Sequence, residues 1–258
     1  MPRPEFIASD IHLGAVPDRT ERAFLAFLEH VGAEGAALLL AGDLFDFWFE
    51  YGTIIPGSHF RTLAALAALV DAGVPVTLAG GNHDAWGGAF LRERVGVAFY
   101  DQPFEMTLGG RRALVAHGDG LGKGDLKYRA LKAVLRSRVA VWGFRALHPM
   151  LGLRLAERVS STEAKPEGDP RQAGRAAFLE AWSRGRLAAD PGLGYVVCGH
   201  SHRAAILPVE PGRYYLNAGA WLTGYSYIRL TDGVPELCWW PQSTPALSTS
   251  RPLQAERP

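Results

Sequence analysis

The sequence contains few of the features that mark secreted, zinc-ribbon or membrane proteins. Its two cysteines, Cys198 and Cys238, form no C-x-x-C pair, which excludes a zinc ribbon and a redox dithiol. No apolar run approaches the roughly 20 residues that span a bilayer. The first residues also lack the apolar core of a signal peptide. We therefore expect a soluble, cytoplasmic protein in which both cysteines are buried apolar residues.

The sequence also has almost no net charge. Its 27 basic and 26 acidic residues give a formal charge of +1. A balanced total argues against a generally cationic nucleic-acid binder, so we expect no nucleic-acid partner. Nothing in the sequence indicates an obligate protein partner. The hydrophobic fraction of 48% over 258 residues is enough for a substantial buried core.

Short apolar runs recur along the first third of the chain, and each ends at a polar motif. Runs at 6–8, 37–41 and 74–79 are typical of buried strands. Between them, residues 21–31 and 60–72 have the apolar spacing of amphipathic helices. Strands that alternate with helices predict a parallel sheet, and such sheets place their sites at the carboxyl ends of the strands.

Further strands are predicted on both sides of the Gly109-Gly110 hairpin signal, at 195–198, and in three or four short runs that end near Trp240. This order predicts an α/β fold with two sheets packed face to face. The segment in between is almost entirely helical in pattern. We predict a core formed by residues 1–120 and 191–240, a helical insertion or cap over 121–190, and a flexible tail over 241–258.

The predicted cap is both cationic and apolar. Between Leu121 and Ser160 there are nine basic residues and two acidic ones, which gives 9 − 2 = +7 and leaves −6 for the rest of the chain. Leucines and the aromatic residues Trp142 and Phe144 lie among these charges. Two interpretations remain open: an ordinary helical subdomain with a solvated basic face, or a surface for an anionic amphiphile, including contact with a membrane surface.

The polar motifs at the predicted strand ends concentrate potential metal ligands. Five of the eight histidines and one of the two asparagines fall there. The candidate ligands are Asp10, His12, Asp43, Asn82, His117, His200 and His202. All offer oxygen or imidazole nitrogen, which suits Mn²⁺, Fe or Zn²⁺. A closed structural site needs about four ligands, so seven predict two divalent metal ions, with the Asp43 carboxylate as the natural bridge.

Two adjacent cations favour one kind of chemistry. Such a pair binds phosphate oxygens and generates a hydroxide nucleophile from water near neutral pH. The constellation therefore predicts hydrolysis of a phosphoester or phosphoanhydride bond.

The ordered set D-x-H, G-D-x-x-D, G-N-H-D, H-G-D and G-H-x-H resembles the calcineurin-like metallophosphoesterase superfamily. That resemblance implies a four-layer αββα sandwich. It assigns one metal to Asp10, His12, Asp43 and His202, and the other to Asp43, Asn82, His117 and His200. It also places His83 beside the leaving group as a proton donor or charge stabiliser, oriented by Asp84. Asp46 and Asp119 are expected to orient the histidines.

Three stretches resemble the UDP-2,3-diacylglucosamine pyrophosphatases of lipid A synthesis: residues 9–14, residues 42–48, and Gly219-Ala220-Trp221. The resemblance implies cleavage of UDP-2,3-diacylglucosamine to UMP and 2,3-diacylglucosamine 1-phosphate, with the cap receiving the acyl chains and peripheral contact with the cytoplasmic face of the inner membrane. The expected substrate-binding residues are Lys123, Lys127, Arg129, Ser161 and Lys165.

One departure from that subfamily lies beside the predicted metals. Its best-known members have arginine after the motif asparagine, whereas this chain has His83. Histidine is the usual residue of the superfamily there. Two alternative functions are retained: a broad phosphodiesterase or phosphomonoesterase that acts on nucleotides or other small phosphoesters, and a non-catalytic scaffold.

Overall fold

The computed structural model describes residues 2–51, 54–84, 86–122, 126–152, 154 and 170–241. Its strands are the following: β1 (Glu5–Ala8), β2 (Ala37–Leu40), β3 (Val76–Ala79), β4 (Ala98–Tyr100), β5 (Phe104–Leu108), β6 (Arg111–Val115), β7 (Leu193–Cys198), β8 (Ala205–Glu210), β9 (Arg213–Asn217), β10 (Ser226–Thr231) and β11 (Val234–Trp239).

The helices lie between these strands. The α-helices are α1 (Asp18–Glu34), α2 (Phe60–Asp71), α3 (Leu126–Leu135), α4 (Arg138–Ala146), α5 (Pro170–Ala189) and the single turn α6 (Trp221–Gly224). Among the residues described, no helix is both long enough and apolar enough to cross a bilayer.

The strands form two mixed sheets. The first has the order β11-β10-β1-β2-β3-β4, with β1 to β4 parallel and β10 and β11 antiparallel at one edge. The second has the order β5-β6-β7-β9-β8, in which β6, β7 and β9 are parallel and the two edge strands are antiparallel. The two predicted sheets are thus confirmed, and β4 is an additional strand that the sequence did not reveal.

Alternation along the central strands produces three cores and hence four layers. In β2, Leu38 and Leu40 pack with α1 and α2, whereas Leu39 faces the second sheet. In β7, Val197 packs between the sheets and Val196 faces α5. Strands buried on both faces appear as continuous apolar runs in the sequence, which is why they could be recognised there. The arrangement is the expected αββα sandwich.

The predicted cap segment contains helices of two kinds. Helix α5 contributes Leu179 and Leu187 to the core against the second sheet. It is therefore the outer layer of the sandwich on that side. By contrast, α4 buries none of its residues fully. The boundaries 121–190 and 241–258 remain predictions, and the described part of the cap outside α5 includes α3, α4 and the helical residues 149–152.

Candidate metal centre

The seven candidate ligands follow five strands that belong to both sheets. Asp10 and His12 follow β1, Asp43 follows β2, and Asn82 follows β3 in the first sheet. The second sheet contributes the other three: His117 follows β6, and His200 and His202 follow β7. Because β1, β2 and β3 are parallel to one another, as are β6 and β7, the loops of each sheet meet at one edge.

Most of these ligands have an unusual backbone conformation. Seven non-glycine residues in the described part of the chain have a positive φ, and five of them are Asp10, His12, Asp43, His200 and His202, with φ between 52° and 62°. Each such residue costs on the order of 1 kcal/mol or more. Backbone bonds from Asp10 to the Gly42 carbonyl and from His12 to the Asp43 carbonyl, at 3.1 and 3.0 Å, hold this geometry.

The first group of potential ligands consists of Asp10, His12 and His202. One ligand atom from each lies within 4.8 Å of the others. Nε2 of His202 is 3.2 Å from Oδ1 of Asp10, and Nε2 of His12 is 4.0 Å from the same oxygen. The backbone N–H of His200 donates to both oxygens of Asp10 at 3.1 Å, which fixes the carboxylate.

The second group consists of Asp43, His117 and His200, again within 4.8 Å of one another. Nδ1 of His117 lies 2.9 Å from the carbonyl oxygen of Ala41 and donates its hydrogen to it. When the ring is neutral, this bond leaves the lone pair on Nε2, which lies 3.0 Å from Oδ2 of Asp43. This hydrogen bond selects the tautomer that can bind a metal.

Asp43 also lies close to the first group. Its Oδ2 is 3.9 Å from Nε2 of His12, and Asp43, His12 and His83 form a third set of atoms within 4.8 Å. The carboxylate thus lies between the two groups, where a bridging ligand would be required.

Asn82 supplies a further oxygen to the site. Its Oδ1 is buried and accepts no hydrogen bond from any residue that the structure describes. A buried amide oxygen without a partner costs free energy, and a cation would satisfy it.

Two glycines allow these side chains to approach one another. A Cβ on Gly42, where φ is +104°, would overlap the His117 ring. A Cβ on Gly81 would overlap the carboxylate of Asp43. The glycines of the G-D and G-N-H-D motifs are therefore required by close packing around the ligands.

The electrostatics of the site favour a bound cation. Asp10 and Asp43 are 0% and 1% exposed. Among the described residues their only ion-pair partners are histidines, not lysine or arginine. Burial opposes the charge of Asp43, but His117 and other histidines outweigh that effect and hold the pKa of Asp43 well below its usual value. Buried carboxylates without Lys or Arg partners fit divalent metal ions.

His83 is positioned by Asp46, mainly through its backbone carbonyl, and not by the expected Asp84. Its Nδ1 lies 2.8 Å from the carbonyl oxygen of Asp46 and 3.6 Å from Oδ1 of the same residue. The two oxygens of Asp84 instead accept backbone N–H groups of Gly81 and Leu44, each at 2.7 Å. The structure therefore gives Asp84 the task of holding two ligand loops together, and Asp46 holds His83.

Asp46 and Asp119 were expected to orient histidines, and Asp46 lies where that requires. Its Oδ1 is 3.6 Å from Nδ1 of His12. Asp119 accepts from Nζ of Lys132 at 2.5 Å and from the side chain of Gln102. Lys132 belongs to α3, so this ion pair ties the cap to the His117 loop. Sequence reasoning counted Lys132 among the basic residues of the cap but did not single it out.

The cap is also attached through α4. The Phe144 ring contacts four aromatic rings of the loops after β2 and β3, at centroid distances of 4.5 to 6.0 Å: Phe47, Phe49, Tyr51 and Trp86. Nε of Arg145 donates to the carbonyl of Glu50 at 3.2 Å. Contact of Phe144 and Trp142 with acyl chains remains a prediction, and the structure shows that the Phe144 ring packs against these core loops. Trp142, on the same helix, is 73% exposed.

The substrate contacts predicted in the cap remain predictions. Lys123, Ser161 and Lys165 lie outside the described residues, as does the side chain of Lys127. Arg129 is described, and its side chain is exposed on α3.

Comparison with known proteins identifies a family and several similar proteins. Residues 6–204 match the profile of the calcineurin-like phosphoesterase family. A UDP-2,3-diacylglucosamine hydrolase of Porphyromonas gingivalis is 28% identical over 86% of this chain and 92% of its own length. The protein of that name from Edwardsiella ictaluri is 31% identical over 87% of both chains, and one from Escherichia coli is 28% identical over 92% of this chain and 98% of its own.

The family match spans all five loops that carry the candidate ligands. Members of this family use divalent metal ions, and the two groups of ligands described above are suited to hold them. The chain belongs to the calcineurin-like phosphoesterase family and is a metal-dependent hydrolase of phosphoester or phosphoanhydride bonds.

Proposed function

We propose that this protein cleaves the pyrophosphate bond of UDP-2,3-diacylglucosamine at a two-metal centre, releasing UMP and 2,3-diacylglucosamine 1-phosphate. The main observation in favour of a two-metal centre is that Asp43 lies between the two groups of candidate ligands. The substrate is supported by relatives named UDP-2,3-diacylglucosamine hydrolase, which align over 86 to 92% of this chain.

In this proposal, one cation is held by Asp10, His12, Asp43 and His202, and the other by Asp43, Asn82, His117 and His200. The donors are oxygen and imidazole nitrogen, and we propose Mn²⁺, with Fe or Zn²⁺ as the alternatives. Two such cations supply Lewis-acid stabilisation of phosphate charge and a nucleophile from water at neutral pH. Metal analysis of protein purified without added metal, followed by reconstitution with each ion, identifies the active one.

His83 acts on the substrate in this proposal. Its Nδ1–H donates to the Asp46 carbonyl, so Nε2 is the atom that exchanges a proton. The ring is 20% exposed, whereas that of His12 beside it is 2% exposed, so His83 lies at the side open to solvent. From there it protonates the leaving oxygen or stabilises its charge.

The cap binds the lipid part of the substrate in this proposal. It presents an apolar cap face of six exposed side chains: Val134, Leu135, Val139, Trp142, Met150 and Leu151. The first four of these side chains lie on α3 and α4, which also carry the exposed Arg129 and Arg138. Apolar side chains beside basic ones suit acyl chains that carry a phosphate group, and also the surface of an anionic membrane. Peripheral contact with the inner membrane is thus part of the proposal.

The experiment that tests this function measures UMP release from UDP-2,3-diacylglucosamine by the Mn²⁺-loaded protein. UDP-N-acetylglucosamine, which has no long acyl chains, and bis(p-nitrophenyl) phosphate are the comparison substrates. We expect the lipid substrate to have by far the highest kcat/KM. No UMP release together with rapid turnover of the simple phosphodiester would instead support the broad phosphodiesterase alternative.

A further inference from the structure

The turn that carries His200 and His202 depends on a side chain from the neighbouring strand. Both histidines have a left-handed backbone, with φ of 62° and 57°. Asn217, the last residue of β9, lies opposite Cys198 in the parallel pairing of β7 and β9. Its side chain is fully buried directly beneath the turn.

The amide nitrogen of Asn217 holds the turn from within. Nδ2 donates to the Gly199 carbonyl at 3.0 Å and to Oγ of Ser201 at 3.1 Å. These two acceptors flank His200 along the chain. The Tyr215 hydroxyl is a third contact of Nδ2, at 3.3 Å.

The amide oxygen of Asn217 connects the same network to Asp10. Oδ1 accepts the backbone N–H of Gly219 at 2.9 Å, and the Gly219 carbonyl accepts the hydroxyl of Ser9 at 2.8 Å. Asp10 follows Ser9 and accepts the backbone N–H of His200. These hydrogen bonds, together with the peptide bond between Ser9 and Asp10, join the His200 turn to the Asp10 loop through one amide.

We propose that Asn217 is a positioning residue for the metal centre, which holds His200 and His202 in the orientation that binds metal. This inference rests on the proposed function, because it takes both histidines as ligands. Residues with strained backbone persist only where their surroundings fix them, and Asn217 supplies both a donor and an acceptor to do so. Groups that orient ligands in this way typically change metal affinity by about 10-fold to 100-fold when they are removed.

Two substitutions separate this role from ordinary buried packing. Asn217→Ala removes the donor and the acceptor. Asn217→Asp keeps the size and the acceptor for Gly219 but replaces the donor with an oxygen that repels the Gly199 carbonyl. An added negative charge near the site would by itself tighten cation binding, so any weakening in this variant comes from the lost hydrogen bonds.

The control is Thr20→Val. It removes a buried hydrogen bond between Thr20, which lies in α1, and Tyr225, which directly follows α6. It preserves side-chain shape and removes none of the hydrogen bonds made by Asn217. Loss of a buried hydrogen bond should lower the melting temperature of this variant without altering metal binding.

The measurement is titration of the metal-free full chain with Co²⁺, monitored by calorimetry and by visible absorption, which reports the coordination geometry. We expect two equivalents bound by the wild type, at least one Co²⁺ dissociation constant raised about 10-fold or more in both Asn217 variants, and an altered absorption band. Thr20→Val should retain the wild-type values.

If the wild type binds Co²⁺ but both Asn217 variants match it in affinity and spectrum, the inference is wrong although the metal centre stands. If the wild type itself binds no Co²⁺, the proposed metal centre is wrong. The inference about Asn217 is then wrong as well, because it assumes that centre. Should Asn217→Ala not fold, the isosteric Asn217→Asp decides between these outcomes.

Discussion

Nε2 of His117 lies 3.0 Å from Oδ2 of Asp43, across the interface between the two sheets. The two residues follow strands of different sheets, β6 and β2. The site therefore exists only when the sheets are packed together.

Asp43→Ala should abolish the two-metal centre, because its carboxylate is the one near both ligand groups. We expect loss of at least one bound metal equivalent and a fall in kcat of roughly 100-fold or more, since charge stabilisation worth several kcal/mol depends on the metals. Metal analysis and UMP release measure both effects. Asp232→Ala is the matched control, because Asp232 has the same φ of 53° but is exposed in the β10–β11 turn. Equal activity of the two variants would contradict the assignment.

His83→Gln should lower kcat with little change in metal content. A positioned general acid contributes about 10²-fold to 10⁴-fold, whereas His83 is expected to act on the leaving group and not to hold a metal. The steady-state constants and the metal stoichiometry are measured together. His30→Gln, a half-buried histidine that packs on Phe6 and Trp240, should leave kcat unchanged. Loss of a metal equivalent in His83→Gln would assign this residue to the ligands instead.

Gly42→Ala should weaken both folding and metal binding, because its Cβ would overlap the His117 ring. Gly73→Ala is the control: its φ is +82°, but a Cβ there meets nothing within 4 Å. The control should lose about 1 to 2 kcal/mol of unfolding free energy from backbone strain. Gly42→Ala should lose roughly 1 to 3 kcal/mol more from overpacking. Urea unfolding of the metal-free variants tests this difference, and equal losses would contradict the close approach.

Phe144→Ala should impair the lipid substrate selectively. The ring anchors α4 to four aromatic side chains of the core loops. Without it, we expect a several-fold rise in KM for UDP-2,3-diacylglucosamine, while turnover of bis(p-nitrophenyl) phosphate stays within about twofold, since the metal ligands are untouched. Phe178→Ala, which removes a half-exposed ring from α5, is the control and should change neither value. An equal loss on both substrates would argue against separate docking of the cap.

His59 should make the fold less stable at mildly acidic pH. Burial lowers the pKa of His59 to about 4, against the opposing charge of Asp46. An unfolded histidine titrates near 6.5. Between pH 6.5 and 4 the unfolded state therefore binds the proton and the folded state does not. Stability from this group is complete above pH 6.5 and is lost as the pH falls toward 4, by at most about 1.4 kcal/mol per pH unit.

Comparison of wild-type protein with His59→Gln by urea unfolding at several pH values measures this contribution. The unfolding free energy of the wild type should fall more steeply between pH 6.5 and 4 than that of the variant. Parallel curves would show that His59 takes up its proton in the folded state as readily as in the unfolded state.

The sequence by itself determined the layers and the ligand types. Runs such as Leu38, Leu39 and Leu40 are apolar on both faces, which is possible only for strands covered on both sides, and the helices between them indicated parallel pairing. Histidine and aspartate at five strand ends indicated the candidate metal ligands, because the loops of parallel strands meet at one edge. Strand β4 is only three residues long, and so short a segment gives no periodic signal.

Only the tertiary structure showed which polar side chains hold the candidate ligands and their loops in place. From sequence, Asp84 was the natural partner of its neighbour His83, yet its oxygens bind the backbone N–H groups of Gly81 and Leu44. Asn217 gave no signal at all, since it is one asparagine 15 residues after His202. Hydrogen bonds between loops depend on how the sheets pack, which local sequence does not encode, whereas strand burial and ligand chemistry are properties of the residues themselves.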